Sequence, residues 1–235
     1  MQRYFADIKD NKVCLSKEDI HHVTNVMRMK DNDNIEVVSD SKLYLANIKN
    51  INDLDIEIIR ELKIDKEKSP YITLIIPTLK EQKIDLILQK GTEIGINEFI
   101  IIPFERSVVK YDERKEKVKL ERWKKICKEA SEQSMRIDIP LVSMEKNMKS
   151  LENKEGLRLI CSTNERDNYI KSVLKKNSDC DKITLVIGPE GGISPKEENF
   201  LEEIGFKKIT LGSQILRVET VPIFLASVIK YEYME

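Results

Sequence analysis

Cysteine and histidine are scarce in this chain. Its 235 residues contain four cysteines, Cys14, Cys127, Cys161 and Cys180, none in Cys-x-x-Cys spacing, and two histidines, His21 and His22, side by side. Zinc sites and disulfide frameworks need such residues in spaced clusters, so neither a metal nor a disulfide scaffold is expected. Long apolar runs are missing as well. No stretch is long enough to span a bilayer, and Met1-Gln2-Arg3-Tyr4-Phe5-Ala6-Asp7 lacks the apolar centre of a signal peptide. No membrane partner and a cytoplasmic location are the expectations. An excess of either charge is also absent, with 40 Lys and Arg against 41 Asp and Glu. Dividing the chain at residue 70 leaves 12 basic against 14 acidic residues before it and 28 against 27 after it, which disfavours a protein that wraps nucleic acid. Only locally does the balance tip: from Arg106 to Arg136 there are 11 basic and 6 acidic residues. That stretch is either the best electrostatic candidate for an RNA contact or a solvated helix face with charge pairs at helical spacing.

With 40% hydrophobic residues the chain can bury a core. Residues 1–70 read as short strands joined by polar turns: Arg3 to Ala6, Lys12 to Leu15, Ile35 to Ser39, Lys42 to Ile48 and Asp55 to Leu62. One short helix interrupts them, capped by Ser16 with Asp19 as a capping-box-like partner and with Ile20, Val23 and Met27 on one face. This pattern suits a small antiparallel barrel. The charged segment from Asp65 to Pro70 reads as a domain boundary, and after it the period changes. Tyr71 to Pro77, Glu98 to Phe104, Leu157 to Cys161, Ile183 to Ile187 and Lys208 to Leu211 are short continuous apolar runs, the mark of strands buried on both faces. Helices between them are predicted from Gln82 to Ile94, closed by Gly95, from Glu113 to Ser134, and from the Ser194-Pro195-Lys196-Glu197 cap to Gly205. Residues 71–235 are therefore expected to form an α/β domain with a mostly parallel sheet.

The chemistry-bearing motifs lie near the C-terminal end. Ile187-Gly188-Pro189-Glu190-Gly191-Gly192 follows an apolar run directly, and about twenty residues later comes Leu211-Gly212-Ser213-Gln214-Ile215-Leu216-Arg217-Val218-Glu219-Thr220. A strand that ends in a glycine-rich turn and opens into a helix offers unpaired backbone N-H and C=O groups to a polar ligand. Two such loops suggest one composite pocket. Neither is a dinucleotide Gly-x-Gly-x-x-Gly or a phosphate loop ending in Gly-Lys-Ser/Thr, so a nucleotide-binding enzyme of those classes is poorly supported. Arg217 and Glu219 precede a helix that is apolar almost all round and expected to be deeply buried. Charges there form either a buried ion pair or an ordered polar site facing a pocket.

These two segments resemble the signature loops of the ribosomal RNA small subunit methyltransferase E family, within the knotted SPOUT superfamily. The likeness continues in Gln89-Lys90-Gly91-Thr92-Glu93-Ile94-Gly95, in Glu105-Arg106-Ser107-Val108, in Arg122-Trp123 through Glu129 to Arg136, and in Arg3-Tyr4-Phe5 and His21-His22-Val23 to Met27-Arg28. Departures are Gln214 where the family usually has Arg, Val218 and Val221 where small residues or Thr are common, and Gly91 for Ala. The resemblance implies a PUA-like β-barrel for RNA at 1–70, a SPOUT-type α/β domain with a trefoil knot at 71–235, and a homodimer. It also implies methyl transfer from S-adenosylmethionine to N3 of a uridine in 16S ribosomal RNA of the small subunit.

On that reading Ile187, Gly188, Pro189, Glu190, Gly191, Gly192, Leu211, Gly212, Ile215, Leu216 and Cys161 would surround the cofactor. Arg217 would hold RNA phosphate or stabilise charge on the uracil ring, and Glu219 would orient Arg217 or accept the proton. Arg3, Arg28, Arg106 and Arg122 are candidate RNA contacts, with Glu132, Gln133 and Arg136 as further substrate-side candidates that a solvated surface would explain equally well. Methylation at N3 needs no covalent nucleophile, and Cys161 reads as a packed residue. The rival reading is a non-catalytic RNA-binding ribosome assembly factor on the same fold.

Overall fold

The computed structural model describes residues 1–64 and 68–234, so Asp65, Lys66 and Glu67 of the expected boundary segment lie outside the described residues. The chain divides into two compact units, Met1–Lys66 with Lys128–Ile139, and Glu67–Cys127 with Pro140–Glu235.

The first unit is a curled, mainly antiparallel sheet. Its strands are β1 (Arg3–Phe5), β2 (Asp7–Lys9), β3 (Lys12–Cys14), β4 (Asn34–Ser39), β5 (Lys42–Asn50) and β6 (Asp55–Leu62), in the order β1-β4-β5-β6-β3-β2, with β1 parallel to β4. Only Ala6 separates β1 from β2, yet they occupy opposite edges. The sheet must therefore curl back on itself, as a barrel-like wall does. Asp10-Asn11 and Asp40-Ser41 both hold positive φ, the backbone that a two-residue hairpin needs to match strand twist. Alternate side chains, among them Tyr4, Val13, Ile35, Val37, Ala46, Ile48 and Ile56, fill one core.

Helix α1 (Lys17–His21) starts at the predicted cap, where Ser16 Oγ accepts from the Asp19 N-H. The Asp19 carboxylate accepts from the Ser16 hydroxyl at 2.6 Å, so it does not close a capping box onto the backbone. The predicted apolar face fails at its end. From His22 to Val26 the helix widens into a π turn, with Met27 N-H bonded to His22 O, and Met27 is exposed while Val23 is fully buried.

The second unit contains a six-stranded sheet, all parallel, in the order β12-β10-β11-β7-β8-β9. In chain order its elements are β7 (Tyr71–Pro77), α2 (Glu81–Ile94), β8 (Glu98–Ile102), α3 (Glu116–Gln133, whose last turns count with the first unit), β9 (Leu141–Met144), β10 (Leu157–Cys161), α4 (Ile170–Lys175), β11 (Lys182–Val186), α5 (Pro195–Glu203), β12 (Lys207–Ile209) and α6 (Thr220–Tyr233). The central strands are buried on both faces, as their continuous apolar runs require. Gly95 closes α2 in the left-handed region at φ 109°, and Ser194 and Glu197 form a complete capping box on α5. Helix α6 departs from expectation: Leu225, Ala226 and Ile229 are fully buried, but Phe224 and Tyr231 are exposed, so one face is open in the single chain.

Gly91, the departure from alanine on α2, has a packing cause. A Cβ there would lie 2.8 Å from the Phe99 ring and 2.9 Å from Ile96. Alanine would gain about 1 kcal/mol of helix propensity, but overpacking against a fully buried ring costs about 1–3 kcal/mol. Gly91→Ala is expected to be destabilising by about 1 kcal/mol in urea titrations; a stabilised variant would contradict this account.

Candidate active site

Parallel strands deliver their C-terminal ends to the same edge of a sheet, and in open α/β sheets ligands bind there. In the second unit the adjacent strands β12, β10 and β11 send out three loops, residues 210–219, 162–169 and 187–194. Together with Lys83 from the first turn of α2 and Arg106 from the segment after β8, these loops line a cavity of about 680 Å³. That volume falls within the range of small-molecule sites, roughly 300–1,000 Å³. The two glycine-bearing bends meet, as the motif spacing suggested.

Each loop is held by local chemistry. At Gly188 a Cβ would meet Ile193 Cγ1 at 2.7 Å and its backbone N at 3.1 Å, and Gly192 takes φ 75°, so this bend closes only with glycine. The Gly192 N-H donates to Pro189 O at 2.8 Å, and Arg106 Nη1 donates to Gly191 O at 3.0 Å. At Gly212, φ 124°, a Cβ would meet no atom within 4 Å, so the space beside it is open. On the third loop, Ser162 donates to the buried Glu198 carboxylate at 2.6 Å, and its own Oγ accepts from the Asn164 N-H. Lys208 approaches the other Glu198 oxygen at 3.2 Å, so α5, β12 and the loop after β10 are fastened at one point.

A cation sits between the two signature loops. Lys83 Nζ donates to Glu190 Oε1 at 2.8 Å and lies 3.3 Å from Glu219 Oε2. The second contact is within ion-pair distance but lacks hydrogen-bond geometry, which leaves that buried Glu219 oxygen without a hydrogen-bond partner. The hydrogen bond to Glu190 holds the Lys83 ammonium above its ordinary range, and the same bond holds Glu190 below the usual carboxylate range.

The structure brings together in this cavity Ile187, Gly188, Pro189, Glu190, Gly191, Gly192, Leu211, Gly212, Ile215, Leu216, Cys161, Arg217, Glu219 and Arg106. Arg217 and Glu219 do not pair with each other. Among the described residues the Arg217 side chain is exposed and forms no hydrogen bond or ion pair, while its carbonyl accepts from Thr220 and Val221 and so starts α6. The buried ion pair that the sequence left open is replaced by Lys83 with Glu219, and Lys83 carries no motif that separates it from the chain's other lysines. The Cys161 thiol is pushed up to about 12 by burial, so it is neutral at physiological pH. Iodoacetamide at pH 8 is expected to modify exposed Cys14 and to leave Cys161 unmodified in the native protein, as read by peptide mass spectrometry.

The other candidates fall elsewhere. Arg122, also in the second unit, is tied to Asp85 and lies 3.6 Å from Glu81, so its charge is engaged on α2. Arg3, Arg28, Glu132, Gln133 and Arg136 belong to the first unit. Arg3 is buried, bonded to Glu36 at 2.6 Å and to the Met135 carbonyl, which is a structural engagement rather than an open phosphate contact. Glu132 accepts from Lys128 and from the Phe5 N-H, with burial raising its carboxyl above the ordinary range. Arg136 pairs with Asp138 at 2.7 Å, while Gln133 and Arg28 are exposed.

Among the described residues no three His, Cys, Asp or Glu side chains cluster to hold a metal ion, and no helix is long and apolar enough to cross a membrane. The RNA methyltransferase domain family matches residues 66–230, and the RNA methyltransferase PUA domain family matches residues 15–59. A curated relative, ribosomal RNA small subunit methyltransferase E of Bacillus subtilis, is 34% identical, over 99% of this chain and 97% of its own length. The chain belongs to the ribosomal RNA small subunit methyltransferase E family. Among solved structures, the methyltransferase E of Neisseria gonorrhoeae bound to S-adenosyl methionine superposes with TM-score 0.85 at 29% identity, covering 98% of this chain and 97% of that one. A putative methyltransferase from Legionella pneumophila in complex with the same cofactor gives TM-score 0.86 at 26% identity, covering 97% and 96%. Of the positions named as departures, Val218 is buried, Val221 half-buried and Gln214 exposed, and all three line the cavity.

Proposed function

We propose that this protein transfers a methyl group from S-adenosylmethionine to N3 of a uridine in 16S ribosomal RNA of the small subunit. The observation that carries the reading is the convergence of the Gly188–Gly192 and Leu211–Glu219 loops on one cavity of about 680 Å³ in a member of this family. The residues present fit the cofactor. The open space beside Gly212 leaves room for close backbone approach, Leu211, Ile215 and Leu216 supply apolar wall, and Glu190 and Glu219 supply negative charge for a sulfonium. When bound, S-adenosylmethionine supplies the electrophilic methyl.

The chain's own residues have the other tasks. Uracil N3 carries a proton in the neutral base, so a base must take it as the N–C bond forms and the C–S bond breaks. Glu219, a half-buried carboxylate lining the cavity, accepts that proton. Arg217, anchored by its backbone at the start of α6 and exposed at its tip, stabilises negative charge on the ring or grips the neighbouring phosphate. Residues 1–70 serve as the RNA-binding PUA-like domain and 71–235 as the SPOUT domain with a trefoil knot, working as a homodimer in the cytoplasm, where the small subunit is assembled. Arg28 and Arg106 remain the accessible candidates for RNA contact. With no basic excess, an assembled subunit whose shape adds contacts is the preferred substrate over naked RNA.

Calorimetric titration tests the cofactor assignment. S-adenosylmethionine is expected to bind once per chain, and Gly212→Val, which forces a β-branched residue into positive φ, is expected to weaken it by about tenfold or more. Equal affinity in the variant would refute the placement of the cofactor at this loop.

A further inference from the structure

Lys83 lies outside the two signature loops, more than a hundred residues before Glu190, yet it is the cation both glutamates face. It comes from the first turn of α2, so a regular helix fixes its backbone, while both of its partners stand on loops. Among the described residues the other basic groups lining the cavity, Arg106, Arg166 and Arg217, form no ion pair with either carboxylate. Arg106 is bonded to the Gly191 carbonyl, and the Arg217 side chain makes no hydrogen bond or ion pair among the described residues.

We propose that Lys83 is a positioning residue for methyl transfer: it clamps Glu190 and steers Glu219, so that the Glu219 carboxylate is presented to the substrate base at the cavity. This rests on the methyl-transfer reading and adds to it the group that orders the proton acceptor.

The asymmetry of the two contacts supports the assignment. Glu190 is half exposed and takes a hydrogen bond from the ammonium on one oxygen, whereas Glu219 is the more buried of the two and lies at the longer distance of 3.3 Å. Because Lys83 holds one Glu219 oxygen, Oε2, it fixes the direction of the carboxylate, so that its other oxygen is the one that takes the proton. A partly exposed ion pair contributes little to folding, so stability alone gives weak reason to place one lysine between two loop glutamates. Two carboxylates and one ammonium leave this three-residue cluster with one net negative charge, while Arg106, Arg166 and Arg217 also line the cavity. The cluster's charge complements a sulfonium without a phosphate-type site.

The test uses the full-length protein, saturating S-adenosylmethionine and small subunits lacking the modification, with single-turnover rates, calorimetric cofactor affinity and thermal midpoints measured in parallel. K83M is expected to lower the single-turnover rate by about 10²-fold, the cost of misplacing a reacting group by roughly an ångström, with cofactor Kd changed less than about threefold. K83R, which keeps the charge at similar reach, is expected to recover most of that rate, and K83Q serves if K83M does not fold. In an E219Q background K83M is expected to add little further loss, because both changes remove the same function. An undiminished rate in K83M, a loss explained wholly by weaker cofactor binding, or independent losses in K83M/E219Q would each overturn the assignment. An inactive wild type would instead overturn the methyl-transfer reading itself, which distinguishes the two failures.

Discussion

Arg217→Ala is expected to lower the rate of methyl transfer by about 10²–10³-fold, the cost of removing one preorganised donor from a developing charge. The cofactor Kd should change less than about threefold, because the variant removes an interaction made with RNA or in the transition state only. The structure motivates both halves of this result. The Arg217 carbonyl accepts the first hydrogen bonds of α6, at 2.8 Å from Thr220 and 3.2 Å from Val221, so its backbone is rigid. Its guanidinium is exposed at the cavity and pairs with no carboxylate among the described residues. A positive group held at its base and unengaged at its tip has little to contribute to folding and much to offer an anionic partner. Arg217→Lys should restore activity only in part, since lysine lacks the planar fork that matches phosphate or a carbonyl edge. Calorimetry and single-turnover assays on one preparation separate the outcomes. Loss of cofactor binding in Arg217→Ala would show that the residue belongs to the cofactor wall instead.

The second large effect concerns stability. Trp123 on α3 is fully buried, its ring centroid lies 5.7 Å from that of Tyr111, and among the described residues its indole nitrogen has no hydrogen-bond partner. Its contribution is therefore packing. Tyr111 is fixed in turn by a hydrogen bond from its hydroxyl to Leu79 O at 2.5 Å, and burial pushes that hydroxyl up to about 12. Truncating a fully buried tryptophan removes the largest side chain of the core and leaves a cavity that this anchored ring cannot fill. Trp123→Ala should cost about 3–5 kcal/mol. For a chain of this size that corresponds to a fall in Tm of about 10 °C, whereas Trp123→Phe should lose less than half as much. A thermal scan followed by tryptophan-independent circular dichroism checks both. A change under about 2 °C would mean that the site collapses around the lost ring, and that α3 is held by its ion pairs with Glu81 and Asp85 instead.

What could be read in advance follows from the physics of each element. Strands β6, β7 and β10 have the predicted bounds because burial on a sheet face imposes a period that the side chains must display. The ends of α2 and α5 were equally plain, since Gly95 and the Ser194-Glu197 box satisfy backbone groups by local chemistry. Strand β2 was missed although Asp10-Asn11 marks a tight hairpin, because one half-buried side chain in three residues is too short a stretch for alternation to be recognised. Edge strand β9 and the six-residue α4 were too short for a period to develop. The π turn at His22–Val26 shifts the phase of α1, and nothing in the local residues announces it.

The site divides in the same way. Both glycine loops were visible because close approach demands glycine at Gly188 and positive φ favours it at Gly192 and Gly212. Lys83 was not, since a lysine among 40 basic residues is marked only by what the fold brings to it. Arg3 was misjudged for a related reason: charge alone does not distinguish a guanidinium that meets RNA from one buried against Glu36.

The most direct measurement is nucleoside analysis by mass spectrometry after small ribosomal subunits lacking the modification are incubated with this protein and methyl-labelled S-adenosylmethionine. One labelled 3-methyluridine per 16S ribosomal RNA, formed about 10²–10³-fold more slowly with Arg217→Ala, is the predicted result. Label on a ribose hydroxyl or on uracil C5, or no label with protein that binds the cofactor, would contradict it.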